Sequence, residues 1–460
     1  MSALDDLRAL LGPKGFTQDP DIIAPWLTEW RDRYQGKTPA MIMPASTEEA
    51  AKAVKICADA HMPIMPQGGN TGLVGGNTPK GELLLSLRRM NAVRSISAAD
   101  NIMICEAGVT LHAAQEAAKK AGRKFPLALA SQGSCTIGGN LSTNAGGVHV
   151  IKYGTAKDLV TGVEAVLPNG EIFNGLTRLK KDNTGYDLSR LFLGAEGTLG
   201  IITAASLKLF AKPASLIRIM VALPDLKAAM ELLGRAQGPA LTMFEIMPRL
   251  GLHAVTQNIA GMSDPFRAPH PWYGLLDFEY FEGGDQSAAI ETLMAGALET
   301  GIISDAVIAQ NEGQAAALLG LRENMSAGQK FIGASIKHDV SVPVGKVPDF
   351  MTRADAAVRK IVPNCRPCGF GHLGDGNIHY NISSPPGGDP RAFLENRDAM
   401  QRAVHDIVTD LGGSISAEHG IGILKKDDLA ARADPVKLEL MRAIKTAMDP
   451  NRIMNPRLMI

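Results

Sequence analysis

The residues with the plainest chemistry lie late in the chain. His372-Leu-Gly-Asp375-Gly376-Asn-Ile-His379 places two histidines around an Asp-Gly turn signal. If Asp375 and Gly376 are the two turn residues, the pairs 374/377, 373/378 and 372/379 are opposed. His372 and His379 then face each other with Cβ atoms roughly 5 Å apart, and Asn381 lies on the same face. Opposed imidazoles can share a metal ion, and a catalytic site needs a third protein ligand. Glu418, in Ser416-Ala-Glu418-His419-Gly-Ile-Gly422, can supply it. Two nitrogens and a carboxylate suit Zn²⁺ best, with Mn²⁺, Co²⁺ or Fe²⁺ also possible. The competing reading is two strand histidines bonded to carboxylates; the Glu-His-Gly segment favours the metal. Neighbouring strand side chains point to opposite faces, so Glu418 and His419 reach one site only from bent backbone. Gly412, Gly413, Gly420 and Gly422 allow that bend. Arg322 and Ser326 are four apart and share a face if one helix carries both.

Two other patterns carry less. Gly369-Phe-Gly371-His-Leu-Gly374 matches G-x-G-x-x-G formally, but a hairpin rather than a helix follows it, so it is no dinucleotide fingerprint. Cys365-Arg-Pro-Cys368 is a lone CxxC with no second pair.

The glycines point to a second kind of site. Of 48 glycines, 21 fall in segments 66–76, 133–147, 194–200, 369–376 and 412–422. Glycine gathers where backbone turns sharply or approaches something closely. Pro66-Gln-Gly-Gly-Asn-Thr-Gly72-Leu-Val-Gly-Gly76 follows a strand and has no Lys or Arg. Its backbone N–H groups can nest a pyrophosphate, although taken alone the segment reads better as a surface loop. Ser131 to Gly147 is long and uncharged, and its donors must be satisfied somewhere. A buried flavin offers phosphates, ribityl hydroxyls and ring carbonyls.

Elements must carry these segments. Residues 3–11 and 110–121 read as helices, and Ser46-Thr-Glu-Glu49 as a capping box before another. Strands are expected at 61–66, 83–87, 102–107 and 199–210, with an Asn169-Gly170 hairpin at 163–173. Lys212-Pro213 marks a boundary. Beyond it, strands near 215–222, 243–246, 274–280, 332–342 and 376–382 alternate with helices near 224–236, 285–300, 311–328, 348–360 and 391–411. That pattern is α+β, an antiparallel sheet with helices on one face. Asp434-Pro435 opens a last helix whose apolar face is Val436, Leu440, Ile444 and Met448. The expected division is 1–212, 213–411 and a 412–460 segment that returns to the first domain.

Composition excludes several classes. The 460 residues carry 47 Lys+Arg and 47 Asp+Glu, a balance that argues against nucleic-acid binding. Hydrophobic residues are 45%, too many for disorder, and no apolar run reaches the length of a membrane span. The acidic N-terminus is unlike a secretory signal, and five Cys are too sparse for a disulfide scaffold, so a reducing cytoplasm is the expected compartment.

Gln67-Gly-Gly-Asn-Thr-Gly72, Gly138-Gly-Asn-x3-Asn144-Ala-Gly-Gly147, Gly194-Ala-Glu-Gly-Thr-Leu-Gly200 and Asn455-Pro456 together resemble the vanillyl-alcohol-oxidase/cresol-methylhydroxylase superfamily over the whole chain. The resemblance implies a two-lobed α+β domain with FAD extended between the lobes. It implies that Pro66, Gly68, Gly69, Asn70, Thr71 and Gly72 hold the pyrophosphate. Gly133, Ser134, Gly138, Gly139, Asn140, Asn144, Gly146 and Gly147 would line the flavin and ribityl chain, with Tyr153 and Gly154 beside them. Gly197 and Ile202 would approach the adenine end, and Asn455 would return to the flavin. No His lies in 66–79 or 131–147, so non-covalent FAD is expected, with His149 the nearest candidate for attachment.

His372-Leu-Gly-Asp-Gly-Asn-x-His379 with Ala417-Glu-His-Gly420 narrows this to a resemblance to the FAD-linked 2-hydroxyacid dehydrogenases. It implies His372, His379 and Glu418 as Zn²⁺ ligands and His419 as catalytic base. It also implies that Arg322, Ser326, Lys337 and Asn381 bind substrate, the first three at a distal carboxylate. Ser326 stands where Thr is usual and His338 where Tyr is usual, which leaves the diacid open. Two cations are excessive for D-lactate and sensible for D-2-hydroxyglutarate or D-malate. The expected reaction is oxidation of a D-2-hydroxyacid to the 2-oxoacid, His419 taking the hydroxyl proton and hydride passing to FAD. D-lactate or glycolate oxidation, a non-catalytic electron-transfer flavoprotein subunit and a flavin-free zinc protein are the alternatives. The resemblance suggests an electron-transfer flavoprotein or quinone as acceptor, and a homodimer.

Overall fold

A computed structural model describes residues 2–281 and 287–460, which form two compact units. The first unit gathers Met1–Gly146, Gly154–Lys212 and Glu418–Ile460; the second gathers Gly147–Tyr153 and Pro213–Ala417. The C-terminal part of the first unit therefore begins at Glu418 rather than 412. Gly147 and Tyr153, expected beside the cofactor, fall in the second unit.

The first unit holds two main sheets. A four-stranded sheet runs in the order Phe16–Thr17, Met41–Ile42, Leu83–Ser86, Ile64–Gln67, parallel across its last three strands. Thr47–Asp59 packs Ala50, Ala53, Val54 and Cys57 into the core beneath it. Ser46 caps that helix by accepting from the Glu49 amide, while Glu49 takes the Ala45 amide instead of closing the expected box. A five-stranded antiparallel sheet runs Val93–Ser97, Ile102–Glu106, Ile201–Lys208, Val160–Val166, Ile172–Asn174. The tail returns along the first sheet: the Ile64 amide donates to Ile453 and the Asn455 amide to Ile64.

The last helix, Pro435–Met448, starts on its Asp434 cap but faces the other way from expectation. Val436 and Leu440 are 61% and 59% exposed, and Ile444 is exposed too, while Leu438 and Lys445 are buried. A polar anchor decides the orientation. Lys445 Nζ donates to the carbonyls of Thr198 and Met454 and pairs with Asp449. Asp449 in turn accepts the amides of Ile453 and Met454. A buried ammonium with three partners outweighs a four-residue apolar stripe.

The second unit is built on an antiparallel sheet, Asp305–Ile308, Ser215–Leu223, Trp272–Tyr280, Leu241–Pro248, Arg366–His372, Asn377–Ser383, Ser335–Lys337. Val340–Ser341 pairs alongside Asn377–Ser383. Helices lie on both faces, not one. Leu226–Ala236, Ser287–Glu299, Val347–Ile361 and Arg397–Asp410 cover the face of Ile219, Phe244 and Tyr380. Residues 285 and 286 of the expected 285–300 helix lie outside the described residues. Arg249–Asn258, Glu312–Glu323 and Met325–Gly328 cover the opposite face of Met220, Met243 and Phe370. Arg249–Asn258 has no side-chain cap, so nothing local announced it. The helix after Asn311 breaks at Asn324, so buried Arg322 and exposed Ser326 do not share one continuous helical face.

Among the described residues, no helix is long and apolar enough to cross a membrane.

Candidate active site

The glycine segments of the first unit meet. A Cβ on Gly69 would stand 1.9 Å from the Ser134 carbonyl oxygen, and one on Gly68 would stand 2.4 Å from Thr136 Oγ1. Only glycine lets the 66–72 loop lie against the 133–139 segment at that distance. A Cβ on Gly197 would meet Pro66 Cγ at 2.5 Å, which brings in the third segment. Gln67 holds the loop from inside, donating to the carbonyls of Trp26 and Asn77, both at 2.9 Å. Asn70 donates to Thr28 at 3.0 Å. Gly138, Asn140 and Ile202 are buried in the framework, whereas Gly133 and Ser134 are exposed. Asn144 Oδ1 accepts the Lys157 amide beyond Gly154.

Two further residues tie this loop cluster together. Glu196, half-buried between Gly194 and Gly197, accepts the amides of Ile421 and Gly422 at 2.7 and 2.8 Å. Burial pushes its carboxyl up against those two bonds. The Asn455 amide donates to Glu196 O at 2.8 Å and Gly76 O at 3.2 Å, so its observed role is to join two of the segments. Glu196 thus fixes the backbone just after Glu418 and His419, whose nearest polar atoms are 3.8 Å apart. Gly420 and Gly422 have φ of 83° and 53°, the bend that the sequence required.

The cluster has the chemistry to take FAD. Among the described residues, Gln67 Oε1, Asn77 Oδ1 and Asn455 Oδ1 are buried acceptors that meet no protein donor. Such groups are paired in native proteins. A flavin ring N–H, ribityl hydroxyls and an adenine amine are donors of the kind they lack.

In the second unit, one sheet face carries the histidines. The hairpin pairs His372 with Asn377 and Phe370 with His379, so the expected 372/379 pair is wrong by two residues. The connection is four residues, 373–376, because the Asp375 and Gly376 amides both return to the His372 carbonyl. A slip of two leaves side chains on their original face. His372 and His379 are therefore diagonal neighbours, ring centroids 5.4 Å apart, and Asn381 shares their face.

Their surroundings are charged and buried. Leu241–Pro248 pairs Glu245 with His372, and Glu245 is fully buried. Glu245 Oε1 lies 2.5 Å from His372 Nδ1, and Oε2 accepts from Arg322 Nε at 2.5 Å. Burial alone would push this carboxyl up; Arg322 and then His372 overcome that and hold it at about 2. The Arg322 guanidinium also lies 4.9 Å from the Phe370 ring centroid. His379 Nδ1 is 3.8 Å from Asp339 Oδ1, which accepts from Asn377 Nδ2 at 3.0 Å. Burial pushes the Asp375 carboxyl up to about 6, against the pull of His372. Neither Glu245 nor Asp339 was expected from sequence. Glu245 had one visible signal, a lone carboxylate inside the apolar run Leu241-Thr-Met-Phe-Glu-Ile-Met.

The expected substrate residues distribute unevenly. Lys337 stands opposite Asn381 in the sheet register, on the histidine face. Asn381 donates to Gln329 Oε1 at 2.7 Å and is buried. His338 points to the other face, its Nδ1 2.8 Å from the Tyr380 carbonyl and its ring 5.8 Å from that of His405. It packs in the core there and does not shape the Lys337 face. Tyr153 donates its hydroxyl to Glu279 at 2.8 Å, within the second unit. Cys365 and Cys368 are buried thiols, and burial pushes Cys368 up to about 12, which leaves it inert.

Comparison with known proteins agrees with this division of labour. Residues 38–175 match the FAD binding domain model, and residues 212–458 match the model for the C-terminal domain of FAD linked oxidases. The chain is 35% identical over 459 residues to the D-2-hydroxyglutarate dehydrogenase of Stutzerimonas stutzeri, covering 98% of this chain and 97% of that protein. It is 35% identical over 454 residues to a probable mitochondrial D-2-hydroxyglutarate dehydrogenase of Oryza sativa subsp. indica, covering 98% and 80%. The mitochondrial enzyme of Bos taurus is 34% identical, covering 99% and 83%. A substrate-bound p-cresol methylhydroxylase has the same fold, with TM-score 0.78 at 18% identity over 99% of this chain and 95% of that one.

Proposed function

This chain belongs to the FAD-linked oxidases, and from that premise we propose that its substrate is D-2-hydroxyglutarate, oxidised with the help of a divalent metal ion. It is an FAD-dependent D-2-hydroxyacid dehydrogenase, and the reaction it performs converts the hydroxyl carbon to a 2-oxoacid. FAD, when bound, supplies the hydride acceptor, and a divalent ion supplies Lewis acidity toward the α-hydroxyl. His372, His379 and Glu418 would hold that ion, and this donor set suits Zn²⁺ best. His419 takes the hydroxyl proton as general base. Arg322 and Lys337 hold the distal carboxylate, with Asn381 and Ser326 as polar contacts.

The observation that carries the diacid reading is the composition of one sheet face. Lys337, Asn381, His372 and His379 share it, and Arg322 reaches it through Glu245. Two cations beside two imidazoles suit a substrate with charge at both ends. Steady-state turnover of a panel of D-2-hydroxyacids with an artificial acceptor tests it. D-2-hydroxyglutarate should give the highest kcat/KM, with D-malate next. D-lactate turned over well above D-2-hydroxyglutarate would overturn the diacid reading.

A further inference from the structure

A fully buried carboxylate is costly unless its charge is paired and hydrogen-bonded. The buried charges of this chain meet that demand in different ways. Asp277 is closed on Arg218 by two bonds of 2.6 Å, with the remaining Arg218 contact going to the Ala315 carbonyl. Asp449 and Lys445 bind each other and the backbone. Glu245 differs from all of these. It divides its two oxygens between a residue read as a substrate anchor and one read as a metal ligand.

The division is fixed by the fold. Glu245 and His372 are direct cross-strand partners, so backbone pairing sets their approach. Arg322 comes from the helix Glu312–Glu323 on that same face and lies over Phe370, two residues before His372. Arg322 can only donate, so its Nε–H takes one carboxylate oxygen. An ionised carboxylate can only accept, so His372 must present Nδ1 as N–H to the other. In the neutral imidazole that metal ligation requires, this leaves the lone pair of His372 on Nε2.

We propose that Glu245 is a positioning residue that couples the two ends of the substrate site, fixing the His372 tautomer for a divalent ion while orienting Arg322 for the distal carboxylate. This rests on the metal and substrate assignments proposed above. Carboxylates that accept the second N–H of a ligating histidine raise metal affinity in general, and their loss typically costs 10–100-fold. The added feature here is that the same carboxylate carries the anchor arginine. A change at Glu245 therefore strikes metal retention and diacid discrimination together.

Glu245→Gln is the sharp test, because an amide offers one acceptor and one donor. If its oxygen serves Arg322, its NH₂ faces His372 Nδ1, which must then accept. The proton moves to Nε2 and the lone pair for the ion is lost. Wild type and variant, each with FAD bound, are dialysed against increasing EDTA, and metal per FAD is read by elemental analysis. The variant should lose metal at an EDTA concentration about 10-fold or more lower, at unchanged FAD content. With excess Zn²⁺ restored, KM for D-2-hydroxyglutarate should rise at least several-fold more than KM for D-lactate. Glu245→Asp keeps both acceptors one methylene further back and should show the same two effects at smaller size. It carries the test if the Gln variant does not fold. Metal retention and a D-2-hydroxyglutarate to D-lactate KM ratio equal to wild type in either variant would overturn the coupling. A wild type that carries no metal and ignores EDTA would overturn the metal assignment itself, and the coupling with it.

Discussion

In the proposed function, single residues divide the chemistry into proton transfer, substrate grip and support. His419→Ala should cut the rate of substrate-driven flavin reduction by about 10²–10⁴-fold while FAD stays bound. Stopped-flow absorbance in the visible flavin band measures it, and an unchanged rate would remove His419 from the reaction. Lys337→Ala tests the grip more cleanly than Arg322→Ala. Removing Arg322 would strand buried Glu245 and cost about 3–5 kcal/mol of stability, whereas Lys337 is only half-buried. Lys337→Ala should raise KM for D-2-hydroxyglutarate about 10-fold or more, the value of a lost charge-assisted bond, and leave D-lactate nearly unaffected. Equal effects on both substrates would place Lys337 away from the distal carboxylate. At this scale the sequence was informative where residues are adjacent in the chain. His372, His379, Glu418 and His419 sit in short motifs. Glu245 and Asp339 acquire their places only through the strand register and the residues folded beside them, and the one local sign was the lone carboxylate of Glu245 inside an apolar run.

Elements set those residues in place, and here the legible and illegible parts separate by physical cause. The hairpin at 366–383 was visible in its Asp-Gly signal, but the turn length was not. The four-residue connection depends on Gly376, whose φ is 80° and whose Cβ would stand 2.1 Å from the Val342 carbonyl oxygen. Gly376→Ala should lower Tm by several degrees and weaken metal retention at the hairpin; a variant matching wild type in both would contradict this geometry. The last helix shows the opposite failure. Its cap was legible, but its apolar periodicity named the wrong face, because Lys445 finds its partners only in the folded chain. The tail beyond it is locked by Arg457 to Glu82. Burial pushes the Glu82 carboxyl up, but the bonds from Arg457 and the Lys80 amide outweigh it and hold the group below 4.5. A depressed carboxyl contributes stability above its unfolded pKa and loses it as pH falls through the folded value. Glu82→Gln should therefore lower stability at pH 7 by about 1–3 kcal/mol. The gap from wild type should close below about pH 4. Urea unfolding at both pH values measures it, and a gap independent of pH would contradict the assignment.

At the scale of the whole molecule, the glycine-rich first unit is organised as a cofactor cradle. Its three glycine segments were separate in sequence and lie against one another in the fold, with Gly69 at the closest approach. Gly69→Ala should yield protein with little or no flavin absorbance, since any Cβ there displaces the Ser134 carbonyl. The α+β class and the FAD-linked family were readable from those segments. Helices on both faces of the second sheet were not, because an uncapped helix such as Arg249–Asn258 leaves no local mark. The neutral net charge hides a concentrated arrangement in which Glu245 and Asp339 stand beside the imidazoles and, in the function proposed above, Arg322 and Lys337 would face an acidic substrate.

The most direct test of the account is anaerobic flavin reduction by D-2-hydroxyglutarate, measured on enzyme as purified, after chelation, and after return of Zn²⁺. Bleaching should be rapid in enzyme as purified and slower by about 10²-fold or more after chelation, the cost of losing several kcal/mol of charge stabilisation at the hydroxyl. Return of Zn²⁺ should restore the rate. Bleaching at the same rate with and without chelator, at constant FAD content, would contradict it.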